Sequence, residues 1–106
     1  MSDCIFCKIS QGQFGTSFLY EDEEIVVFRD INPKAKTHLL IVPKKHIDSV
    51  MTLEESDELL MGKLVMAGKK VAADLKLDGY KLQIHVGESG GQEVFHVHVH
   101  LLSNQG

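Results

Sequence analysis

The amino-acid sequence predicts an α+β fold whose sheet is antiparallel. Two observations carry this prediction: short apolar runs rich in β-prone residues follow one another through brief turns, and one longer stretch repeats its apolar residues at helical spacing. Consecutive strands joined by short turns favour an antiparallel α+β arrangement over a doubly wound one. A chain of 106 residues has room for one domain, which we expect to span residues 1–106.

The N-terminal half is predicted to hold a short helix and three strands. Asp3 is placed to cap the helix and Gly12 to end it. The acidic residues 21–24 separate the first two strands as a hairpin turn would, and Pro43 stops the third strand. The predicted bounds are residues 4–11 for the helix and residues 17–20, 25–28 and 38–42 for the strands.

A long helix and two further strands are predicted for the C-terminal half. The segment TLEE at residues 52–55 has the form of a capping box, so the helix should begin at Thr52, and Asp78 and Gly79 should end it. Apolar residues at three- and four-residue spacing mark its buried face: Leu60, Leu64, Ala67, Val71 and Leu75. Residues 80–86 and 94–102 alternate polar and apolar side chains, which indicates two half-buried strands.

Charge and hydropathy exclude several classes of protein. A formal net charge of −4 and a pI of about 5.8 argue against a long nucleic acid as partner, although a local cluster of donors can still hold a small anion. No apolar stretch approaches the roughly 18 residues of a membrane span. The N-terminus lacks the pattern of a signal peptide, so we expect a cytoplasmic protein without a membrane partner.

Three histidines stand at alternate positions near the C-terminus: His96, His98 and His100. In a strand, residues two apart share a face at a separation of roughly 6.6–6.8 Å, so the three imidazoles should form a row. The opposite face would then pack the apolar residues Phe95, Val97, Val99 and Leu101. Protonated imidazoles in a row repel one another, so stability offers no reason for the arrangement. We interpret the row as functional; the alternative is a surface or metal-binding row of histidines.

A glycine-rich connection leads directly into this row, with Gly87, Gly90 and Gly91. Glycines let backbone N–H groups approach an anion closely, which makes the connection a candidate phosphate cradle, although glycine clusters more often serve only as turns. Asp30, just after the second strand, is similarly open between accepting hydrogen bonds from a ribose and capping a turn. The combination of a donor-rich loop and nucleophilic imidazoles predicts phosphate chemistry more strongly than either part.

Cys4 and Cys7 are the only cysteines, and their spacing suits a metal. Zinc requires two further ligands, which the histidines can supply because no second Cys-x-x-Cys exists. Two alternatives stay open. A redox pair normally follows a strand, and none is predicted before Cys4. Two unconnected free thiols are the other possibility.

Residues 95–102, FHVHVHLL, match the histidine triad signature at every position. Four further segments carry the same likeness: DCIFCKI (3–9), FRDINP (28–33), THLLIVPKKH (37–46) and GGQEVFH (90–96). The chain therefore resembles the Hint branch of the histidine triad family, the purine-nucleoside phosphoramidases. The resemblance implies an α+β fold with a five-stranded antiparallel sheet, one short and one long helix, in a homodimer.

Catalytic roles also follow from the resemblance. It implies that His98 attacks the α-phosphorus of a nucleoside phosphoramidate or acyl-nucleotide, forming a nucleotidyl-histidine that water then hydrolyses. His100 is implied to hydrogen-bond the phosphoryl oxygens. His38 is implied to fix a tautomer within the triad, and the carbonyl of His96 to orient His98.

A nucleotide site and a metal site are implied in the same way. The base is implied to lie between Ile5, Phe6, Ile9, Phe28 and Ile31, and Asp30 to accept hydrogen bonds from the ribose hydroxyls. Gln92, Glu93 and the N–H of Val94 are implied to lie at the phosphate, with His98 and His100. We also expect Arg29 and Gly91 to belong to the nucleotide site. His85 joins them at a position where this branch often has asparagine. The resemblance assigns a structural zinc ion to Cys4, Cys7, His46 and His96, a closed site with no open position for catalysis.

We therefore expect a hydrolase that cleaves nucleoside phosphoramidates or related nucleotidyl conjugates of purine nucleotides. Two alternatives are a dinucleoside polyphosphate hydrolase and a zinc-stabilised nucleotide-binding module with little turnover. Gly62 and Gly68 on the long helix suggest close helix approach across the two-fold axis of a dimer. Gly106 ends the chain earlier than in many Hint proteins, which bears on substrate selectivity.

Overall fold

A five-stranded antiparallel sheet organises the chain, which a computed structural model describes over residues 3–106. The helices are α1 (Ile5–Ser10) and α2 (Glu58–Asp74), and the strands are β1 (Tyr20–Glu21), β2 (Ile25–Arg29), β3 (Thr37–Pro43), β4 (Lys81–Gln83) and β5 (Val99–Ser103). The strand order is β1-β2-β3-β5-β4, and every neighbouring pair is antiparallel. The predicted α+β fold class is confirmed.

Each face of the sheet forms its own core, because alternate residues of a strand point to opposite sides. On one face the strands pack against α2, through residues that include Ile25, Val27, Leu39, Ile41, Val99 and Leu101 and the helical residues Leu60, Leu64, Ala67 and Val71. On the other face α1 packs through Phe6 onto Val26, Phe28, Leu40 and Val42. The predicted buried side of the long helix is thus confirmed, with Leu75 packed at its margin.

The register of the central strands decides which face receives the histidines. Leu40 of β3 lies opposite His100 of β5, and His38 lies opposite Leu102. Directly paired residues share a face, and Leu40 belongs to the α1 side. His38 and His100 therefore lie on the α1 face of the sheet, away from α2.

The long helix begins later than the sequence predicts. Thr52 does not cap it: the Thr52 hydroxyl accepts a hydrogen bond from the Ser49 N–H at 3.3 Å, within a 3₁₀ turn over Val50–Thr52. The Asp57 carboxylate accepts from the Glu54 N–H at 3.0 Å and holds a second turn. These side-chain bonds compete with helical backbone bonds, so α2 starts only at Glu58.

Other bounds also differ from the prediction: β1 begins at Tyr20 and not at residue 17, β4 is shorter than residues 80–86, and α2 ends at Asp74, before Asp78 and Gly79. Three further details are wrong. The cap of α1 is Cys4, whose Sγ accepts from the Cys7 N–H at 3.4 Å, and not Asp3. The last strand is shorter than predicted, so His96 and His98 precede β5. Phe95 is 46% exposed and does not join the core.

Gly68 has a packing role within the chain. A Cβ at this position would lie 2.8 Å from Ile41 Cδ1, so the missing side chain lets α2 approach the sheet closely. Gly62 meets nothing within 4 Å and lies on the exposed side of the helix. Of the two predicted interface glycines, only Gly62 is thus free to meet a partner. Within residues 3–106 no helix has the length and apolar character to cross a membrane.

Candidate active site and metal centre

Four potential metal ligands converge between the start of α1 and the segment before β5. One ligand atom from each of Cys4, Cys7, His46 and His96 lies within 4.8 Å of the other three. His96 Nδ1 is 3.2 Å from Cys4 Sγ, 3.5 Å from Cys7 Sγ and 3.2 Å from His46 Nδ1. These four residues, predicted as the metal set, lie close enough to hold one ion.

The hydrogen bonds of the two histidines direct their lone pairs into this space. His96 Nε2 donates to the Pro43 carbonyl at 2.7 Å, which leaves Nδ1 of the neutral ring without hydrogen. His46 Nε2 donates to the Asp48 carboxylate at 2.7 Å, with the same result. A tetrahedral zinc with bonds of about 2.0–2.1 Å to nitrogen and about 2.3 Å to sulfur separates its ligand atoms by roughly 3.3–3.8 Å. The observed distances of 3.2–3.5 Å fit a set of this kind.

Cys7 lacks the lowered pKa of a reactive redox cysteine. Burial, together with the neighbouring Cys4 thiol, raises the pKa of Cys7 to about 11. Reactive redox cysteines instead have a lowered pKa, because the thiolate is the nucleophile. A metal ion would displace the thiol proton and stabilise the thiolate, so the structure favours the metal interpretation among the three alternatives.

His98 is buried with one ring nitrogen unprotonated. Its Nδ1 lies 2.7 Å from the carbonyl oxygen of His96, and a carbonyl can only accept, so Nδ1 carries the hydrogen. Nε2 then keeps a free lone pair. Phe6 packs edge-on against the ring with centroids 4.9 Å apart, and burial lowers the pKa of His98 below 6.5. His98 is thus neutral at pH 7 and fit to act as a nucleophile.

A chain of hydrogen bonds fixes the tautomer of His100. The Lys34 N–H donates to His38 Nδ1 at 3.0 Å, so His38 Nε2 carries a hydrogen and donates to His100 Nδ1 at 2.9 Å. His100 therefore presents Nε2–H as a donor. Asp30 Oδ2 lies 3.4 Å from His38 Nε2. His38 Nε2 carries its hydrogen into the space between His100 and Asp30, so these three residues do not present a second metal site, although they also lie within 4.8 Å of one another.

His85 stacks on His100 as a fourth imidazole in the group. Their ring centroids are 4.4 Å apart and the planes are inclined by 25°. Burial, and then the neighbouring rings of His98, His85 and His38, lower the pKa of His100 to about 4. The stack follows from the pairing of β4 with β5, and it confirms the expectation that His85 lies beside the triad.

The glycine N–H groups of the glycine-rich loop donate hydrogen bonds within the loop itself. The Gly90 N–H donates to the Gly87 carbonyl at 3.1 Å, and the Gly91 N–H donates to the Glu88 carbonyl at 3.0 Å. Gly87 and Gly91 are needed for their positive φ values of 73° and 90°. The prediction that the N–H groups of these glycines cradle phosphate is therefore wrong, and Gly91 has a conformational role.

The side chain of Gln92 is also hydrogen-bonded within the protein. It is 4% exposed; its Oε1 accepts from the Gly87 N–H at 2.9 Å, and its Nε2 donates to the carbonyls of Asp48 at 2.7 Å and Val94 at 3.1 Å. Both of its amide hydrogens are used within the protein, so the predicted place of Gln92 at the phosphate gains no support from its side chain and stays a prediction. Sequence reasoning missed this positioning role, which depends on a partner 44 residues away. Among the described residues, the N–H groups of Glu93 and Val94 have no acceptor, so they remain able to meet an anion.

The residues predicted to hold a base divide into a buried floor and an exposed rim. Phe6 and Phe28 pack edge-on with centroids 5.8 Å apart, and Ile9 covers the same cluster. Ile5 is exposed, and Ile31 is 92% exposed just after β2. These apolar side chains lie on the α1 side of the sheet or beside it.

Arg29 departs from the predicted set. It lies directly opposite Leu39, whose side chain faces α2. Strand alternation therefore directs Arg29 away from Phe28 and from the triad. The register thus gives no support to a nucleotide contact from this side chain, and the assignment of Arg29 as a nucleotide-binding residue stays a prediction.

Known proteins resemble the chain over nearly all of its length. A family model described as "Scavenger mRNA decapping enzyme C-term binding" matches residues 3–106. Protein HitA of Neisseria gonorrhoeae is 44% identical over 103 residues, 96% of each chain. The crystal structure of a HIT family hydrolase from Legionella pneumophila Philadelphia 1 is 43% identical, with a TM-score of 0.91 over 98% of this chain and 95% of that chain. A histidine triad protein from Clostridium difficile is 36% identical, with a TM-score of 0.95 over 100% and 94% of the two chains. The chain belongs to the histidine triad (HIT) family.

Proposed function

We propose that the protein is a hydrolase of nucleoside 5′-phosphoramidates or related nucleotidyl conjugates, acting through a nucleotidyl-histidine on His98. The observation that carries this proposal is the buried, neutral His98, whose Nδ1 is tied to the His96 carbonyl while Nε2 keeps its lone pair. The coarser assignment, a hydrolase-like member of the HIT family, rests on the family match and on the related structures.

In the first step His98 Nε2 attacks the α-phosphorus. The new N–P bond forms as the bond from phosphorus to the leaving nitrogen breaks, and the leaving nitrogen keeps the electron pair and takes a proton from water. His100 Nε2–H donates to a phosphoryl oxygen, where charge builds in the transition state. The N–H groups of Glu93 and Val94 serve the same oxygens, because the described residues offer them no other acceptor.

In the second step water attacks the phosphorus of the nucleotidyl-histidine. The His98–phosphorus bond breaks, the electron pair returns to Nε2, and the water proton is lost to solvent. The products are the free amine and the nucleoside monophosphate. Two displacements at one histidine divide a difficult hydrolysis into two easier steps.

The nucleotide is proposed to lie along the α1 side of the sheet. Phe6, Phe28 and Ile9 form the floor for the base, and the exposed Ile5 and Ile31 close over it. The Asp30 carboxylate accepts from the ribose hydroxyls, next to His38. His85, stacked on His100, places its ring beside the phosphate.

The metal is proposed to be one zinc ion held by Cys4, Cys7, His46 and His96. When bound in such a closed set, zinc supplies structural stabilisation and no open coordination position. Its ligands tie the start of α1 to the segment that carries His96. The protein is further proposed to be a homodimer that acts on purine nucleotides in the cytoplasm.

Mass spectrometry after brief mixing with adenosine 5′-phosphoramidate tests the chemistry. The expected result is a nucleotidyl adduct on the peptide that contains His98, which disappears as the monophosphate accumulates. The His98→Ala variant is the control and should carry no adduct. Turnover without any adduct would contradict the covalent route. Nucleotide binding without turnover or adduct would favour the alternative of a binding module.

A further inference from the structure

We infer that a cavity beside the triad receives the leaving group of the substrate and favours a leaving group that carries a negative charge. The cavity has a volume of about 520 Å³, and its lining includes Lys34, Tyr80, Lys81 and Leu102. This inference rests on the proposed function and adds to it the chemistry of the group that is released.

The strand register places the cavity beyond His98 and His100, towards the C-terminal end of β5. Leu102 follows His100 by two residues on β5, so both side chains lie on the α1 face, roughly 6.8 Å apart along the strand. Lys81 lies directly opposite Leu102 and shares that face. Lys34 approaches from the other side, where its N–H meets His38. The cavity therefore lies next to His100 on the α1 face, within reach of a group that is released from a phosphorus held there.

The charged side chains of the lining are both lysines, and the Asp78 carboxylate lies beside the lining, where it accepts a hydrogen bond from Gln105 Nε2 at 3.4 Å. Lys34 and Lys81 contribute two ammonium groups, and none of the described lining residues is a carboxylate. Lys44, Lys45 and Lys63 each pair with a carboxylate, whereas over residues 3–106 neither cavity lysine does. Lys34 Nζ meets only the Asn32 carbonyl, at 3.2 Å.

The C-terminal wall of the cavity is fixed by hydrogen bonds. The Thr37 hydroxyl donates to the Gln105 carbonyl at 2.7 Å, and the Asp78 N–H donates to Gln105 Oε1 at 2.5 Å. The Ser103 hydroxyl donates to the Gly79 carbonyl at 2.8 Å. A preformed wall lowers the ordering cost of binding, so the two lysines can act on a ligand without a rearrangement of the chain.

Two anions satisfy this chemistry: the carboxylate of an amino acid linked through its nitrogen, and the phosphate of a second nucleotide. Paired substrates distinguish them. The first pair is the adenosine 5′-phosphoramidates of phenylalanine and of phenylalaninamide, which differ only in the negative charge. Diadenosine triphosphate is the third substrate. We expect wild-type kcat/KM to be about tenfold higher for the carboxylate than for the amide, as for a charge-assisted hydrogen bond.

The Lys34→Gln/Lys81→Gln variant should reduce this ratio to about one. Lys69→Gln/Lys70→Gln removes the same charge from exposed positions on α2 and should leave the ratio unchanged. If the two cavity lysines raise kcat/KM only for the amino-acid substrate, the cavity recognises a carboxylate. If they also raise kcat/KM for diadenosine triphosphate, the cavity accepts any anion. If both lysine pairs leave the ratio unaltered, or if wild type shows no preference, the inference is wrong while the proposed hydrolase stands. If none of the three substrates forms an adduct on His98, the proposed function fails first.

Discussion

The backbone carbonyl of His96 accepts a 2.7 Å hydrogen bond from His98 Nδ1, while the His96 ring points its own Nδ1 at the two cysteines. One residue thus belongs to the candidate metal set and also fixes the tautomer of the candidate nucleophile. The position of His98 depends on how firmly the segment before β5 is held. The candidate metal set and the candidate nucleophile are therefore linked through one residue, His96.

His98→Ala is expected to lower kcat by about 10³-fold or more, because a nucleophile contributes chiefly in the transition state. Affinity for a nucleoside monophosphate should change little, since the base and ribose contacts remain. Single-turnover kinetics and calorimetric titration measure the two effects separately. A variant that kept a tenth of wild-type kcat would be incompatible with the covalent mechanism.

Purified protein is expected to contain one zinc per chain, and His46→Gln should lose it. His85→Asn is the matched control, since it also exchanges an imidazole for an amide but lies at the other cluster. Metal analysis of all three proteins gives the answer, and chelation should lower the Tm of wild type and of the control because the binding energy is folding energy. Equal metal contents in the three proteins would rule out this ligand set.

Stability is expected to fall as the pH is lowered from about 6.5 towards 4. Burial, with the neighbouring rings of His98, His85 and His38, holds the pKa of His100 at about 4, whereas the unfolded chain takes up the same proton near 6.5. Between these values the unfolded state binds more protons, so the free energy of unfolding declines with decreasing pH. Denaturant unfolding of wild type and His100→Asn at several pH values isolates this contribution, because the variant should show a shallower slope. Parallel curves would mean that His100 does not contribute.

Gln92→Ala is expected to lower the free energy of unfolding by about 1–3 kcal/mol, because it leaves buried hydrogen-bonding groups of the loop without partners. The loop that carries Glu93 and Val94 should then be less well held, so KM should rise more than kcat falls. Gln13→Ala, at an exposed position, is the control. Urea unfolding and steady-state kinetics provide the two readouts. A lower kcat with an unaltered KM would indicate that Gln92 acts on the chemical step instead.

Light scattering at micromolar concentration should detect a dimer. β4 is an edge strand of only three residues, with Leu82 exposed on it and Ile84 exposed just after it. Leu59 and Met66 are exposed on α2 on either side of Gly62. Exposed apolar patches of this kind favour association. Met66→Glu should shift the equilibrium towards an 11.8 kDa monomer, whereas Met51→Glu, outside α2, should not. A wild-type protein that is monomeric throughout would refute the prediction.

Periodicity predicted the larger elements because burial imposes it. The spacing of Leu60, Leu64, Ala67 and Val71 follows the side of α2 that meets the sheet, and the alternation of Val97, Val99 and Leu101 follows the same core. The start of α2 was not predictable in this way. Thr52 resembles a cap, but Ser49 competes for the same turn, and the outcome depends on which of several local hydrogen bonds can form together.

The candidate site was predictable where it depends on short-range order and not where it depends on distant partners. Alternation placed His98 and His100 side by side, and their ring centroids are 4.9 Å apart. The role of Gln92 depends on the carbonyl of Asp48, and the direction of Arg29 depends on its register with Leu39. Neither relationship leaves a local pattern in the sequence.

The division of the sheet into two separate cores has a consequence for engineering. Substitutions in the layer between the sheet and α2 can reach His38, His98 and His100 only through the backbone of β3, of β5 and of the segment before β5, because the side chains there alternate between the two faces. A saturation library of the α2 layer should therefore yield thermostable variants with unchanged selectivity. A library of the layer beneath α1, where Phe6 contacts His98, should alter selectivity and stability together.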